Sequence, residues 1–213
     1  WAFRAFDQEK SRKITEERFN ERNEAFDLFL KQDGEPLQTL AEYDSAWNQM
    51  VQAIQKADRR WFEDNVNEAT LNGYKAHAAW IYRPDATLVH SKTSDGTIAP
   101  ALAIPRTAFD ILFAKDHFAH FFIKDGDDVM EIRGATVHGS FDYERQTPQQ
   151  GFFFVGRRWN RPELDNMSTF SGTKISLVPP NERVRNIQSD PEKGRIVFSR
   201  TLPGWDGAPL AEL

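Results

Sequence analysis

Cysteine is absent from all 213 residues. Thiol catalysis, thiolate metal sites and a disulfide framework are therefore excluded, while the compartment stays open, because exported and cytosolic domains alike do without cysteine. No apolar run comes near the about 20 residues that span a bilayer, and no signal-peptide pattern is present. Positive charge is not in excess either: 27 Lys and Arg stand against 32 Asp and Glu, a formal charge of −5. Nucleic acid or an anionic lipid surface would find no electrostatic footprint here. There is no phosphate-cradling loop, no G-x-S-x-G elbow and no histidine-dependent nucleophile arrangement. The expectation is a chain that is not itself an enzyme and carries neither cofactor nor metal.

What is present is a globular composition, 39% hydrophobic and 28% charged, outside the range of disordered chains. The length suits one large domain or two small ones with a substantial core. The chain opens at Trp1 already inside a helical pattern and stops at Leu213 inside a strand pattern, so both ends are expected to be cuts from a longer protein.

Residues 2 to 32 read as one long helix, rich in Glu, Lys, Arg, Gln and Ala and free of Gly and Pro. Between Glu9 and Arg18 only Ile14 is strongly apolar, which points to a helix that projects into solvent or pairs with a partner helix. Asp33-Gly34-Glu35-Pro36 reads as a stop and restart. A second helix to Asp58 carries Leu37, Leu40, Trp47, Val51 and Ile54 along one face, and a short helix over residues 60–67 follows.

Strands then take over. Residues 76–82 and 86–91 flank the turn Arg83-Pro84-Asp85, and residues 120–124 and 129–138 flank Asp125-Gly126-Asp127-Asp128. Between the two hairpins lies a helix over 105–115. A nearly continuous apolar strand, 150–159, leads to a short helix over 162–170, and late strands are expected at 173–178 and 195–201. This order predicts an α+β domain: an antiparallel sheet of about five strands with packed helices, a PAS-like or Cache-like arrangement behind a long N-terminal helix. The division is 1–32 as the long N-terminal helix and 33–213 as the PAS-like domain.

Among candidate chemical residues, His117 and His120 form an H-x-x-H pair, but no third ligand or Glu base stands near. Asp125-Gly126-Asp127-Asp128 has oxygen ligands without calcium-loop spacing, and turn chemistry explains it better. Asp44 falls on the apolar face of the second helix, expected to look toward the strand bearing Trp80 and Tyr82. A carboxylate there needs partners, and two readings stand: a structural hydrogen bond or a ligand contact. Trp47, Trp61, Trp80 and Tyr82 have apolar bodies and polar tips that suit a pocket, as they equally suit a core. Strand alternation puts Ile132, Gly134, Thr136 and His138 on one face, with Gly134 admitting a close neighbour, either a ligand or a helix.

A family resemblance gathers these features. Tyr43-Asp44-Ser45-Ala46-Trp47, then Trp61-Phe62 and Asn65, resemble the opening of the type-4 CHASE sensor domain. Ala79 to Ala86 resembles its next block, Gly151 to Trp159 its most recognisable strand, and Leu202 to Pro209 the loop before its last strand. The likeness covers residues 20 to 213 and departs in the richness of Phe and in the polar stretch Thr147 to Gln150. It implies an extracytoplasmic (periplasmic) small-molecule sensing domain of a histidine kinase or cyclic-di-nucleotide enzyme, held to the inner membrane only by flanking transmembrane helices. Its expected partner is a second copy in a parallel homodimer, and the expected ligand-binding set is Asp44, Trp47, Trp61, Trp80, Tyr82, Thr136 and His138. The rival is a dimerisation module of the same kind of receptor that binds no ligand.

Overall fold

The structure is a computed structural model that describes residues 2–180 and 197–213, with side chains from residue 16 onward. Its first element, α1 (Ala2–Asp44), is a single helix of 43 residues, about 65 Å long at 1.5 Å per residue. The expected break at residues 33–36 does not occur. Pro36 lacks the N–H that would bond back to the preceding turn, yet tertiary contacts hold that turn in place. Gly34 lies flat on the sheet: a Cβ there would stand 3.1 Å from Arg133 Nη2. One residue earlier, Arg157 Nη1 donates to the Asp33 carbonyl oxygen at 2.9 Å and to its carboxylate at 2.7 Å.

The helix instead ends at Asp44. Ser45 is fully buried. Its Oγ donates to the Glu42 carbonyl at 2.9 Å, its own carbonyl accepts the His138 N–H at 2.8 Å, and Trp47 is extended. Three short helices follow: α2 (Asn48–Lys56), α3 (Arg59–Asn65) and α4 (Glu68–Gly73). α3 stands where the short helix over 60–67 was expected, and α4 follows it. Asp58 caps the first of them through the Trp61 N–H, and Asn67 caps the second through the Thr70 N–H.

The sheet is built from β1 (Ala78–Tyr82), β2 (Leu88–Thr93), β3 (Phe118–Asp125), β4 (Asp128–Val137) and β5 (Gly151–Trp159), with α5 (Thr107–Leu112) between β2 and β3. Its order is β2-β1-β5-β4-β3 and every pair is antiparallel. On the first face, the end of α1 and α2–α4 bring Leu37, Leu40, Met50, Ile54, Phe62 and Leu71 onto Ala79, Ile81, Val137, Phe153 and Val155. The second face carries Trp80, Tyr82, Phe121, Ile132, Phe152 and Phe154, covered by α5 and the irregular segment before it. β5 is buried on both faces, which is why its sequence does not alternate.

After α6 (Arg161–Ser171) the chain packs a third cluster of Phe26, Phe122, Trp159, Leu164, Met167, Leu202 and Ala211, which joins α1 to the small antiparallel pair β6 (Thr201–Pro203) and β7 (Pro209–Glu212). The strand expected at 173–178 is reduced to one bridge, Val178 to Glu212. Ile175 and Leu177 face this cluster rather than a sheet neighbour. The strand expected at 195–201 begins in residues 195–196, outside the described residues, and its described part becomes a strand only at Thr201.

Candidate functional site

Alternation along β1 sends Ala79 and Ile81 to the helical layer and Trp80 and Tyr82 to the opposite face. There the two aromatic tips hold down the covering segment. Trp80 Nε1 donates to the Pro100 carbonyl at 2.7 Å, and the Leu102 N–H donates to Tyr82 Oη at 3.0 Å. Ser91 Oγ adds a third tie, donating to the Ala99 carbonyl at 2.6 Å. Backbone polar groups of a buried irregular segment must find partners, and these three side chains provide them.

Beneath that segment lies a cavity of about 220 Å³, lined by Trp80, Ala99, Leu102, Ile123 and Met130 on its apolar side. Its polar side is formed by His77, Asp95, Asp125 and Arg158. Arg158 Nε donates to Asp125 Oδ2 at 2.5 Å, tying β5 to the end of β3. Among the expected ligand residues, Trp80 alone lines this cavity. His77 and Arg158 escaped sequence reasoning, and Asp125 was read there only as part of a turn, because only the pairing of β1, β5, β4 and β3 brings the three to one end of the sheet.

The other expected residues stand elsewhere. Trp47 is 40% exposed and packs edge-on against Trp61 at 5.9 Å between centroids. This pair belongs to the α1–α2 corner and α3, on the first face. Asp44 is half-buried at the same corner. Its carboxylate makes no hydrogen bond or ion pair with any described residue, and burial pushes it up to about 6. The expectation that it looks toward Trp80 and Tyr82 is corrected: the helices cover the face with the smaller residues, and those two rings occupy the other.

Thr136 and His138, both buried, belong to a polar knot at the end of β4. His138 Nε2 and His117 Nδ1 meet Thr136 Oγ1 at 2.9 and 3.1 Å, and His138 Nδ1 meets Asp142 Oδ2 at 3.0 Å. Arg145 completes the knot, donating to the Thr136 carbonyl oxygen, to Ser45 Oγ at 2.9 Å and to the Glu42 carbonyl at 3.2 Å. It fastens the C-terminus of α1 to the sheet. The nearest neighbour of Gly134 is a ring of the sheet itself. A Cβ there would lie 2.6 Å from the Phe154 ring, its cross-strand partner. His117 and His120 do not converge: the first joins this knot, while His120 Nε2 lies 3.0 Å from Glu131 Oε1 on the other face.

That Glu131 centres a second fastening of α1. Glu131 and Arg157 are 2% and 1% exposed. Arg157 Nη2 donates to Glu131 Oε2 at 2.8 Å and Arg133 Nη2 to Oε1 at 3.1 Å, and Arg157 also grips Asp33 of α1. Burial alone would raise the Glu131 carboxyl. The His120 hydrogen bond and the Arg157 and Arg133 charges outweigh it and hold the group at about 2.

A five-stranded antiparallel sheet in this order, under helices on one face and with a roofed cavity on the other, defines a PAS-like sensor domain. The chain belongs to the CHASE4 family, whose CHASE4 domain model matches residues 29–178. It is thus an extracytoplasmic-type sensor domain of a signalling receptor, and the family is a sensing one, not a catalytic one. Two crystal structures of the periplasmic domain of Vibrio cholerae LuxQ are similar in fold. One has TM-score 0.57 at 12% identity, covering 90% of this chain and 96% of the LuxQ chain. The other, a selenomethionine form, has TM-score 0.58 at 11% identity, covering 90% and 94%. No curated protein matches the chain in sequence.

Proposed function

We propose that this domain senses a small molecule for a membrane-bound receptor whose output is a histidine kinase or a cyclic-di-nucleotide enzyme, and that the ligand occupies the cavity roofed by the segment before α5. The observation that carries this reading is the cavity itself, about 220 Å³ with an apolar floor of Trp80, Ile123 and Met130 and a polar end at Asp125 and Arg158. Such a lining suits a small ligand with an apolar body and one polar end. Asp44, Trp47, Trp61, Thr136 and His138 are then parts of the framework.

A ligand shifts an equilibrium only by binding one arrangement better than another. The arrangement at stake here is the seating of α1, fastened to the same sheet at Asp33 and at Glu42–Ser45. The dimerisation reading draws support from residues 16–25 of α1, most of which are exposed.

A thermal-shift screen of metabolites tests the proposal, followed by the variant Ala103→Trp, which fills the cavity from an exposed position on its rim. The expected result is a hit whose stabilisation disappears in Ala103→Trp while the unliganded melting temperature is kept. A hit that stabilises Ala103→Trp equally well would rule this cavity out as the sensing site.

A further inference from the structure

Glu163, Asn166, Met167 and Phe170 recur at helical spacing and form one face of α6. Met167 is buried and anchors the face, whereas Phe170 is 82% exposed. Together they wall a second cavity, of about 350 Å³, which adjoins the roofed one and shares His77 and Ser94 with it. Its facing wall is Lys75 and His77 from the α4–β1 connection, with Asp33 of α1 beside them.

The groups in this cavity are of two signs and in part uncommitted. The Glu163 carboxylate has no hydrogen-bond or ion-pair partner among the described residues. On the opposite wall, His77 Nδ1 accepts the Arg158 N–H at 3.1 Å. This assigns the ring proton to Nε2, which is left to donate. Lys75 Nζ lies 3.6 Å from Asp33 Oδ1, a loose pairing, because the other oxygen of Asp33 is held by Arg157 at 2.7 Å. Lys75 also has a left-handed backbone, φ 57°. Glycine takes that conformation without cost and lysine does not, so the backbone gives no reason for a lysine there, whereas an ammonium at the cavity wall does.

We propose that this cavity binds a small amphoteric molecule of amino-acid size, its carboxylate received by Lys75 and His77 Nε2–H and its ammonium by Glu163. The occupant draws Lys75 away from Asp33 and stands directly against α1, beside the Glu131–Arg157 network. This second site reports to the same helix as the roofed cavity but does not depend on that cavity being filled.

Isothermal titration calorimetry of this chain with the twenty protein L-amino acids and γ-aminobutyrate, with acetate and methylamine as single-charge probes, tests the proposal. At least one amphoteric probe should bind, with both single-charge probes weaker by about tenfold or more, the loss expected for one charge-assisted contact. Glu163→Gln should weaken that probe by about tenfold. Lys75→Gly should weaken it as much while leaving the melting temperature equal or higher, because glycine relieves the backbone. Ala103→Trp should leave it unchanged. No binding by any amphoteric probe overturns the proposal, and so does binding indifferent to both Glu163→Gln and Lys75→Gly. Binding abolished by Ala103→Trp alone overturns it too, and supports the roofed cavity instead.

Discussion

Asp44 shows at the scale of one residue how burial without a partner acts. Desolvation raises its carboxyl from 3.8 to about 6, so the folded chain holds this proton more tightly than the unfolded chain. The sign follows: the contribution of this group to stability is most favourable below pH 3.8, declines as pH rises toward about 6, and stays lower above that. Asp44→Asn, which mimics the protonated form, should raise the melting temperature at pH 7.5 by about 2–4 °C, equivalent to about 1 kcal/mol after allowance for solvent screening. At pH 3.5 it should change little. Calorimetric scans at the two pH values check this, and an equal effect at both would refute the burial argument. His138 differs: its imidazole is buried and has Thr136 and Asp142 as partners. Burial still dominates and holds its pKa below 6.5.

Helix α1 ends where side chains satisfy its last carbonyls, not at its proline. Ser45 and Arg145 take up the carbonyl of Glu42, and Trp47 then starts α2 at a new helical phase. The stripe expected from Leu37 to Ile54 therefore breaks in two: Leu37, Leu40 and Ala41 are buried before the corner, and Met50, Ala53 and Ile54 after it. Trp47 falls out of the stripe for that reason alone. In its last third α1 is bound to β4 and β5 through Asp33, Arg157 and Glu131. Removing one charge from a buried network leaves the other uncompensated, at a cost of about 3–5 kcal/mol. Glu131→Gln should lower unfolding free energy in urea by about that much at pH 7. Because the folded Glu131 carboxyl sits near 2, below its ordinary 4.5, its contribution is complete above pH 4.5 and is lost as pH falls toward 2. The gap between wild type and variant should close over that interval, and a constant gap would show that packing, not charge, is responsible.

For the whole molecule, the exposed part of α1 is where assembly can be tested. Residues 16–25 are largely exposed, though Phe19 meets Phe198 and Asn23 accepts from Arg200 Nη2. One side of this stretch thus belongs to the C-terminal segment, and most of its other residues are exposed among the described residues. Leu28, 55% exposed, lies just beyond it. Sedimentation equilibrium should show dimers forming toward about 1 mM, the effective concentration a short tether would impose. Leu28→Glu should weaken the association. An unchanged monomer mass over that range would remove the homodimer reading.

Local patterns in the chain determined the five strands, their antiparallel pairing and the helical N-terminal segment, because strand alternation, turn residues and helical composition act between near neighbours. The family, too, was legible in Ala79 to Ala86 and Gly151 to Trp159. The continuity of α1 through Gly34 and Pro36 was decided by tertiary structure, since a contact 124 residues away, from Arg157 to Asp33, holds the turn that local rules would break. The two cavities were decided there as well. Trp80 looks like its neighbours in sequence, and only the choice of which sheet face the helices cover sends it to the roofed side. Lys75, His77 and Glu163 share no local pattern at all. Chain separations too long for periodicity to register are closed by strand pairing and helix packing.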